Sequence, residues 1–395
     1  MSAEPEVTGD NEVVSPQPKW RRTRSRTLGE EFDPRNNALN VWRLTLAMGV
    51  ILWHSWPLTG RGISFEPVRQ LLGDGWVDGF FAISGFLITW SWFRNPRARD
   101  YFLARSLRIL PGFWACLITT AFIIAPISVA IQGGSAAKLL QSDAPYAYVL
   151  GNGALSMHRP DVGGTPVGVP IFGIWNGSLW TLFWEVSCYI AIAILGVVGL
   201  LHRRWLVPAL LALALYWSTK LPRSTLFAEG PSAQQHTDAA AQWLVMEVPA
   251  ARFACMFLAG ALLYQFRDAI PARWSLVAVS IVIVLAASLL PNYRVIAAIP
   301  LAYAIIVSGA LIHNKRLRLS TDLSYGVYIY AFPIQQLLVI CGLAFLNPFA
   351  FAIIAAIITL PVAALSWFLI EKPATSIKSR LRRRSIPPAA ELQPE

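Results

Sequence analysis

Charge is what this sequence has least of. Asp, Glu, Lys and Arg make up only 14% of its 395 residues and apolar types 55%, a balance that cannot cover a globular surface with polar groups and so excludes a soluble domain. Cysteine is scarce too. Cys116, Cys188, Cys255 and Cys341 each sit inside an apolar run, without CxxC spacing or a neighbouring His, so neither a disulfide framework nor a metal site is expected. A basic groove for nucleic acid is missing as well. The Lys and Arg behind the net charge of +11 fall in the two tails and in alternate short loops, which is the distribution of membrane topology. Residues 1–37 have no apolar stretch behind their arginines, and so no signal-peptide pattern.

Long apolar runs, by contrast, dominate the chain. A membrane span takes roughly 20 apolar residues, and about ten segments qualify, near 38–58, 76–93, 112–132, 178–199, 205–219, 246–266, 274–290, 294–313, 323–343 and 348–370. With the N-terminus inside, the inner loops carry Arg94 to Arg108, Arg203 and Arg204, Arg267 and Arg273, and Lys315 to Arg318, while the outer loops are sparse in cations for their length. The positive-inside rule then places both termini in the cytoplasm. The expected fold is an all-α, polytopic bundle with three parts: a disordered cytoplasmic tail over 1–37, a transmembrane domain over 38–371 and a basic cytoplasmic tail over 372–395. The one long connection, the outer loop 133–177, is rich in Gly and Pro yet keeps Tyr146, Tyr148, Phe172 and Trp175. Loops of this length between packed helices are either binding loops and lids or disordered.

Several polar groups sit where apolar spans do not need them. Arg43 and His54 lie on one face of the first span, about three helical turns and roughly 16 Å apart. Each has a bland reading, a snorkelling anchor for Arg43 and an interfacial ring beside Trp53 and Trp56 for His54, and a functional one. Glu185 lies inside "SLWTLFWEVSCYIAIAILG", where a carboxylate facing lipid would cost on the order of 3 kcal/mol, so it must face the bundle. Read as lying in the outer half, Glu185 matches His54 in depth. The two would form either an orienting acid–base pair or a buried polar lock. Asp78, followed by the small step Ser84-Gly85, admits a ligand or a helix. Ser324, Tyr325 and Tyr328 enter from the cytoplasmic side, and the adjacent amides Gln335 and Gln336 follow Pro333. In "RSLRILPGFW", Arg105 and Arg108 share a helical face, which suits either a phosphorylated ligand or the topology rule alone.

Taken together these residues resemble the acyltransferase-3 family of bacterial integral-membrane O-acyltransferases. The motifs are Arg-x10-His (Arg43, His54), "FFAISGFLI", "RSLRILP", "SLWTLFWE" with Glu185 and Tyr189, "LSYGVYIY", and "IEKP" at Glu371 to Pro373. The resemblance implies transfer of an acyl group, usually acetyl from acetyl-CoA, to a hydroxyl of an envelope glycan, glycolipid or small glycoside. It implies a multi-pass protein of the bacterial inner membrane in which acyl-CoA is a co-substrate and no cofactor is tightly held. It further implies a catalytic His54 and a donor site at Arg105 and Arg108, extended here to Arg43, Ser84, Tyr325 and Tyr328. Ala331 departs from the pattern, because many members have His there. The rival reading is a transporter or flippase of a lipid-linked glycan, with Arg43, His54 and Glu185 as a proton relay.

Overall fold

The computed structural model describes residues 26–221, 239–314 and 321–376. Among these residues there is no strand, and the helices follow one another as α1 (Leu28–Glu31), α2 (Leu39–Leu58), α3 (Glu66–Arg94), α4 (Ala98–Thr119), α5 (Ala125–Ile131), α6 (Ala136–Leu140), α7 (Ala144–Asn152), α8 (Trp180–Val197), α9 (Leu206–Lys220), α10 (Ala239–Gln265), α11 (Trp274–Ala287), α12 (Arg294–Leu311), α13 (Ser324–Ile340) and α14 (Pro348–Ser366). The segments expected to span are all helical. Six helices are long and apolar enough to cross a membrane, and α9, α11 and α13 are shorter apolar helices.

Burial sorts the helices into layers. α13 is buried on every side from Ser324 to Gln336, so it is the central post of the bundle. α2 presents one face to it, with Ala47, Val50, Ile51, His54 and Leu58 buried at helical spacing. The outermost helices expose apolar side chains instead, Val279, Val282 and Leu285 on α11, and Ile353, Ile357 and Leu365 on α14, as lipid contact requires. The tightest seam joins α3 to α10. A Cβ on Gly85 would lie 1.9 Å from the Phe257 carbonyl oxygen, and one on Gly260 1.9 Å from the Ala82 carbonyl oxygen. These reciprocal glycines let two backbones touch. Gly85 in the Ser84-Gly85 step therefore admits a helix.

Two expectations about the ends change. Residues 26–37, expected within a disordered tail, are folded: Thr27 caps α1 in a capping box, Leu28 N–H donates to the Ile270 carbonyl, and Phe32 packs edge-on against Phe86. An apolar pair, Leu28 and Phe32, gives this short segment something to bury. At the other end the helix following α14 runs on to Ser376, beyond the expected boundary at Lys372. Residues 1–25 and 377–395, the rest of both expected tails, lie outside the described residues.

The outer loop is built rather than loose. It forms α6 and α7, and its last stretch descends into the bundle, where Trp175, Asn176, Ser178 and Leu179 are all buried. Its anchor follows from a proline. Pro333 has no N–H to offer the carbonyl of Ile329 one turn earlier, and Asn176 Nδ2 donates to that free oxygen at 2.8 Å. About two turns beyond Ile329, Gln336 Nε2 donates to the carbonyls of Ile171 at 2.7 Å and Ile174 at 2.8 Å. Its neighbour Gln335, turned about 100° around the helix, bonds Ile51 O and Ser55 Oγ of α2, each at 3.0 Å. The two adjacent amides thus tie α13 to different partners.

Candidate active site

The polar groups gather at two levels of the bundle, an arginine end and a histidine end. Contacts between α2 and α3 set the scale: Gly49 faces Trp76, Gly73 faces Trp53 and Gly79 faces Leu46. The two helices are therefore antiparallel, with His54 level with the first turns of α3 and Arg43 level with its second half.

At the arginine end Asp322 is the hub. Its carboxylate ion-pairs with Arg43 and Arg108 and accepts from the Ser324 hydroxyl. The Asp322 side chain is only 9% exposed. Burial works against its ionisation, but the two guanidiniums more than offset that and hold its carboxyl below the usual carboxylate range. Arg105 ends elsewhere. It forms no ion pair with a described carboxylate; its guanidinium lies over the Tyr189 ring at 5.7 Å, and its buried Nε has no hydrogen-bond partner among the described residues. The two arginines of the i, i+3 pair are thus divided, one committed to Asp322 and the other available to a ligand. Tyr325 sits against this end, its hydroxyl donating to the Ile109 carbonyl at 2.7 Å.

Glu185 also belongs here and does not pair with His54. It accepts from Tyr189, one turn along α8, and from Ser84 at 3.4 Å. On the α2–α3 scale Ser84 is level with Arg43, about a dozen residues and roughly 20 Å from His54. The expected match in depth presumed that the helix carrying Glu185 starts at the outer surface. In fact α8 starts at Trp180, after the loop has already descended to the level of Ile329, which carries Glu185 to the other end.

At the histidine end His54 lines a cavity of about 100 Å³, with Trp53, Trp76, Trp180, Asp74, Arg252 and Tyr328 among the other lining residues. Its ring packs edge-on to Phe332, with centroids 4.9 Å apart, beside the buried Ala331. His54 itself is 8% exposed, and its buried Nδ1 has no hydrogen-bond partner among the described residues. Tyr328 forms part of the inner wall, hydrogen-bonded to Thr181 Oγ1 at 2.5 Å and donating to Ser178 O at 3.1 Å.

Beside this cavity lies a second ionic cluster, of which sequence reading named only Asp78. That carboxylate is wholly buried and is held by Arg252 Nε at 2.8 Å, Arg294 Nε at 2.6 Å and the Tyr293 hydroxyl. One turn earlier Asp74 meets the same two arginines at 2.9 and 2.5 Å. Arg252, inside the run "VPAARFACMFL", carried the same signal as Glu185, a charge in an apolar span. Asp74 and Asp78 carried an i, i+4 signal.

The histidine with its unpartnered nitrogen in a cavity and the Arg43–Asp322–Arg108 cluster thus lie about three helical turns apart along α2. Comparison with known proteins defines the class. The profile described as acyltransferase domain matches residues 36–368, and the chain belongs to the acyltransferase-3 family. It is an O-acyltransferase. Relatives include an O-acetyl transferase of Shigella phage Sf6, 27% identical over 358 residues that cover 86% of this chain and 96% of the relative. Nodulation protein 10 of Rhizobium leguminosarum bv. viciae is 26% identical over 380 residues, 90% of this chain and 98% of the relative. No solved structure matches the chain.

Proposed function

We propose that the protein transfers an acetyl group from acetyl-CoA to a hydroxyl of a cell-envelope glycan or glycolipid, with His54 as general base. The observation that carries this reading is His54 itself, which lines a cavity with its buried Nδ1 unpartnered and so has a nitrogen free to take a proton. In this reading about ten helices cross the bacterial inner membrane, both termini are cytoplasmic, residues 38–371 form the catalytic domain, and the arginine end faces the cytoplasm.

The donor enters from that side. Its phosphates meet Arg105 first, the guanidinium without a carboxylate, and then Arg108 and Arg43, already aligned by Asp322. Ser84 and Tyr325 lie along the path of the acyl arm, and Tyr328 stands at the cavity wall. The roughly 16 Å of helix between Arg43 and His54 is the distance the arm spans. At the far end the acceptor O–H gives its proton to the imidazole as its oxygen attacks the thioester carbonyl. The new C–O bond forms, the C–S bond breaks, and the departing sulfur takes up a proton to leave as free CoA. General-base assistance of this kind contributes about 10²–10⁴ in rate. Glu185 acts at the donor end, where its bonds to Ser84 and Tyr189 hold the wall of the arm's path.

Binding of radiolabelled acetyl-CoA to the purified protein tests the donor side. Saturable binding that is lost in Arg105→Ala/Arg108→Ala is expected. Absence of binding by folded wild type would overturn the reading.

A further inference from the structure

The cavity at His54 continues into a second of about 70 Å³, the two sharing Glu66, Gln70, Asp74 and Arg252. Together they form one cleft running outward from the imidazole along the first two turns of α3. Its charges are matched. Arg69 pairs with Glu66, and Arg252 and Arg294 pair with Asp74 and Asp78. Among the described residues lining the cleft, no arginine lacks a carboxylate, and no lysine is present. Trp53, Trp76 and Trp180 add flat apolar faces beside His54.

We infer that this cleft is the acceptor subsite, that it takes an uncharged polyhydroxylated ring and discriminates against anionic sugars, and that Asp74 is the residue that orients the acceptor. The inference rests on the acyl-transfer reading above. Asp74 is the one carboxylate of the buried cluster that reaches the cleft, its side chain 25% exposed while Asp78 has none exposed. Two arginines hold it ionised and fixed, which leaves lone pairs on its oxygens for hydroxyl donors. Gln70, one turn earlier, gives its amide N–H to the Leu290 carbonyl at 3.1 Å, and its own carbonyl oxygen remains as an acceptor. Carboxylate and amide oxygens beside indole faces suit a ring with hydroxyls on its rim and C–H groups on its face. An acceptor carboxylate, by contrast, would meet Glu66 and Asp74 and find every lining guanidinium already engaged. To bind it, the site would have to draw Arg69 away from Glu66 at the partly exposed rim, or break a buried pair of Arg252 or Arg294, and in either case leave a carboxylate unpaired.

Three measurements on the full-length protein test this together: acetyl-CoA binding, CoA release, and ester formation on a neutral hexose oligosaccharide and on its uronate counterpart. The neutral oligosaccharide should be preferred at least tenfold in kcat/KM. Asp74→Asn should raise its KM roughly tenfold while the KM for acetyl-CoA stays unchanged, and Gln70→Ala should act in the same direction by a few-fold. Gln70→Ala also guards against a folding failure of the first variant, because Gln70 lies outside the buried cluster. Equal or better use of the uronate would overturn the inference, as would an acceptor KM that neither variant moves. Acetyl-CoA bound with neither sugar acylated would also overturn it while leaving the donor side standing; no acetyl-CoA bound would overturn the underlying reading itself.

Discussion

The arginine end and the histidine end solve the problem of charge in a membrane differently. At the arginine end Arg43 and Arg108 share the Asp322 carboxylate, Arg105 pairs with no described carboxylate, and Glu185 accepts from Tyr189 and Ser84 instead. Around the histidine end the cations are matched by carboxylates, and the titratable group left without a hydrogen-bond partner among the described residues lining the cavity is the Nδ1 of His54. In the acyl-transfer reading proposed above, the first arrangement holds the donor's phosphates and the second leaves a base free to take a proton. Both ends hang from one helix, α2, which keeps their separation fixed.

The sharpest way to break this contrast is at His54. His54→Ala should lower acyl transfer by about 10²–10⁴ while acetyl-CoA binding is kept, a split read by comparing turnover with equilibrium binding. Loss of binding would mean that the two ends are not functionally separate. Next is Asp322→Ala, which leaves Arg43 and Arg108 facing each other without their carboxylate. Removing one partner of a buried ion pair costs about 3–5 kcal/mol, so the variant should melt well below wild type in detergent. Because the folded carboxyl is the stronger acid, the stability it contributes is complete above about pH 5, where the unfolded carboxylate is also ionised. That stability is lost as pH falls toward the lower folded value, and melting between neutral pH and pH 5 should not register it.

A smaller effect serves as a control for both ends. Gly260→Ala forces a methyl into the Ala82 carbonyl across the α3–α10 seam, and overpacking of this kind costs about 1–3 kcal/mol. It should lower the melting temperature without changing the ratio of donor binding to turnover. The smallest change in stability is expected from Arg105→Ala, since no carboxylate is orphaned. Donor affinity should nonetheless fall about tenfold, roughly 1.4 kcal/mol. An equal loss of affinity and of melting temperature would mean that Arg105 is structural.

Much of this was legible in the amino-acid sequence because lipid is a simple solvent: apolar runs had to be helices, and Glu185 had to face inward. The pairing of Glu185 was not legible. Its depth depends on where the outer loop ends in space, and that is set by Pro333, Asn176 and Gln336, residues brought together from more than 150 positions apart. Asp322 escaped for a different reason. It sits one residue outside an apolar run, where an acidic side chain reads as part of a loop, and only the fold turns it back toward Arg43. Arg252 did carry a readable signal, a guanidinium inside a span, and its partner lay in the Asp74–Asp78 repeat one turn apart.

The grip of Asn176 on Ile329 joins residues 153 positions apart, and that has a consequence for biogenesis. At about 5–20 residues per second the ribosome delivers α13 roughly 10–30 s after the loop that must fasten to it. Until then the start of α8 lacks its bonds to α13, those of Asn176 to the Ile329 carbonyl and of Tyr328 to Thr181 and Ser178. Chains arrested before α13 should therefore be cut by protease at 171–179, and full-length chains should resist. The bundle therefore closes this junction near the end of its own synthesis, once α13 has been delivered.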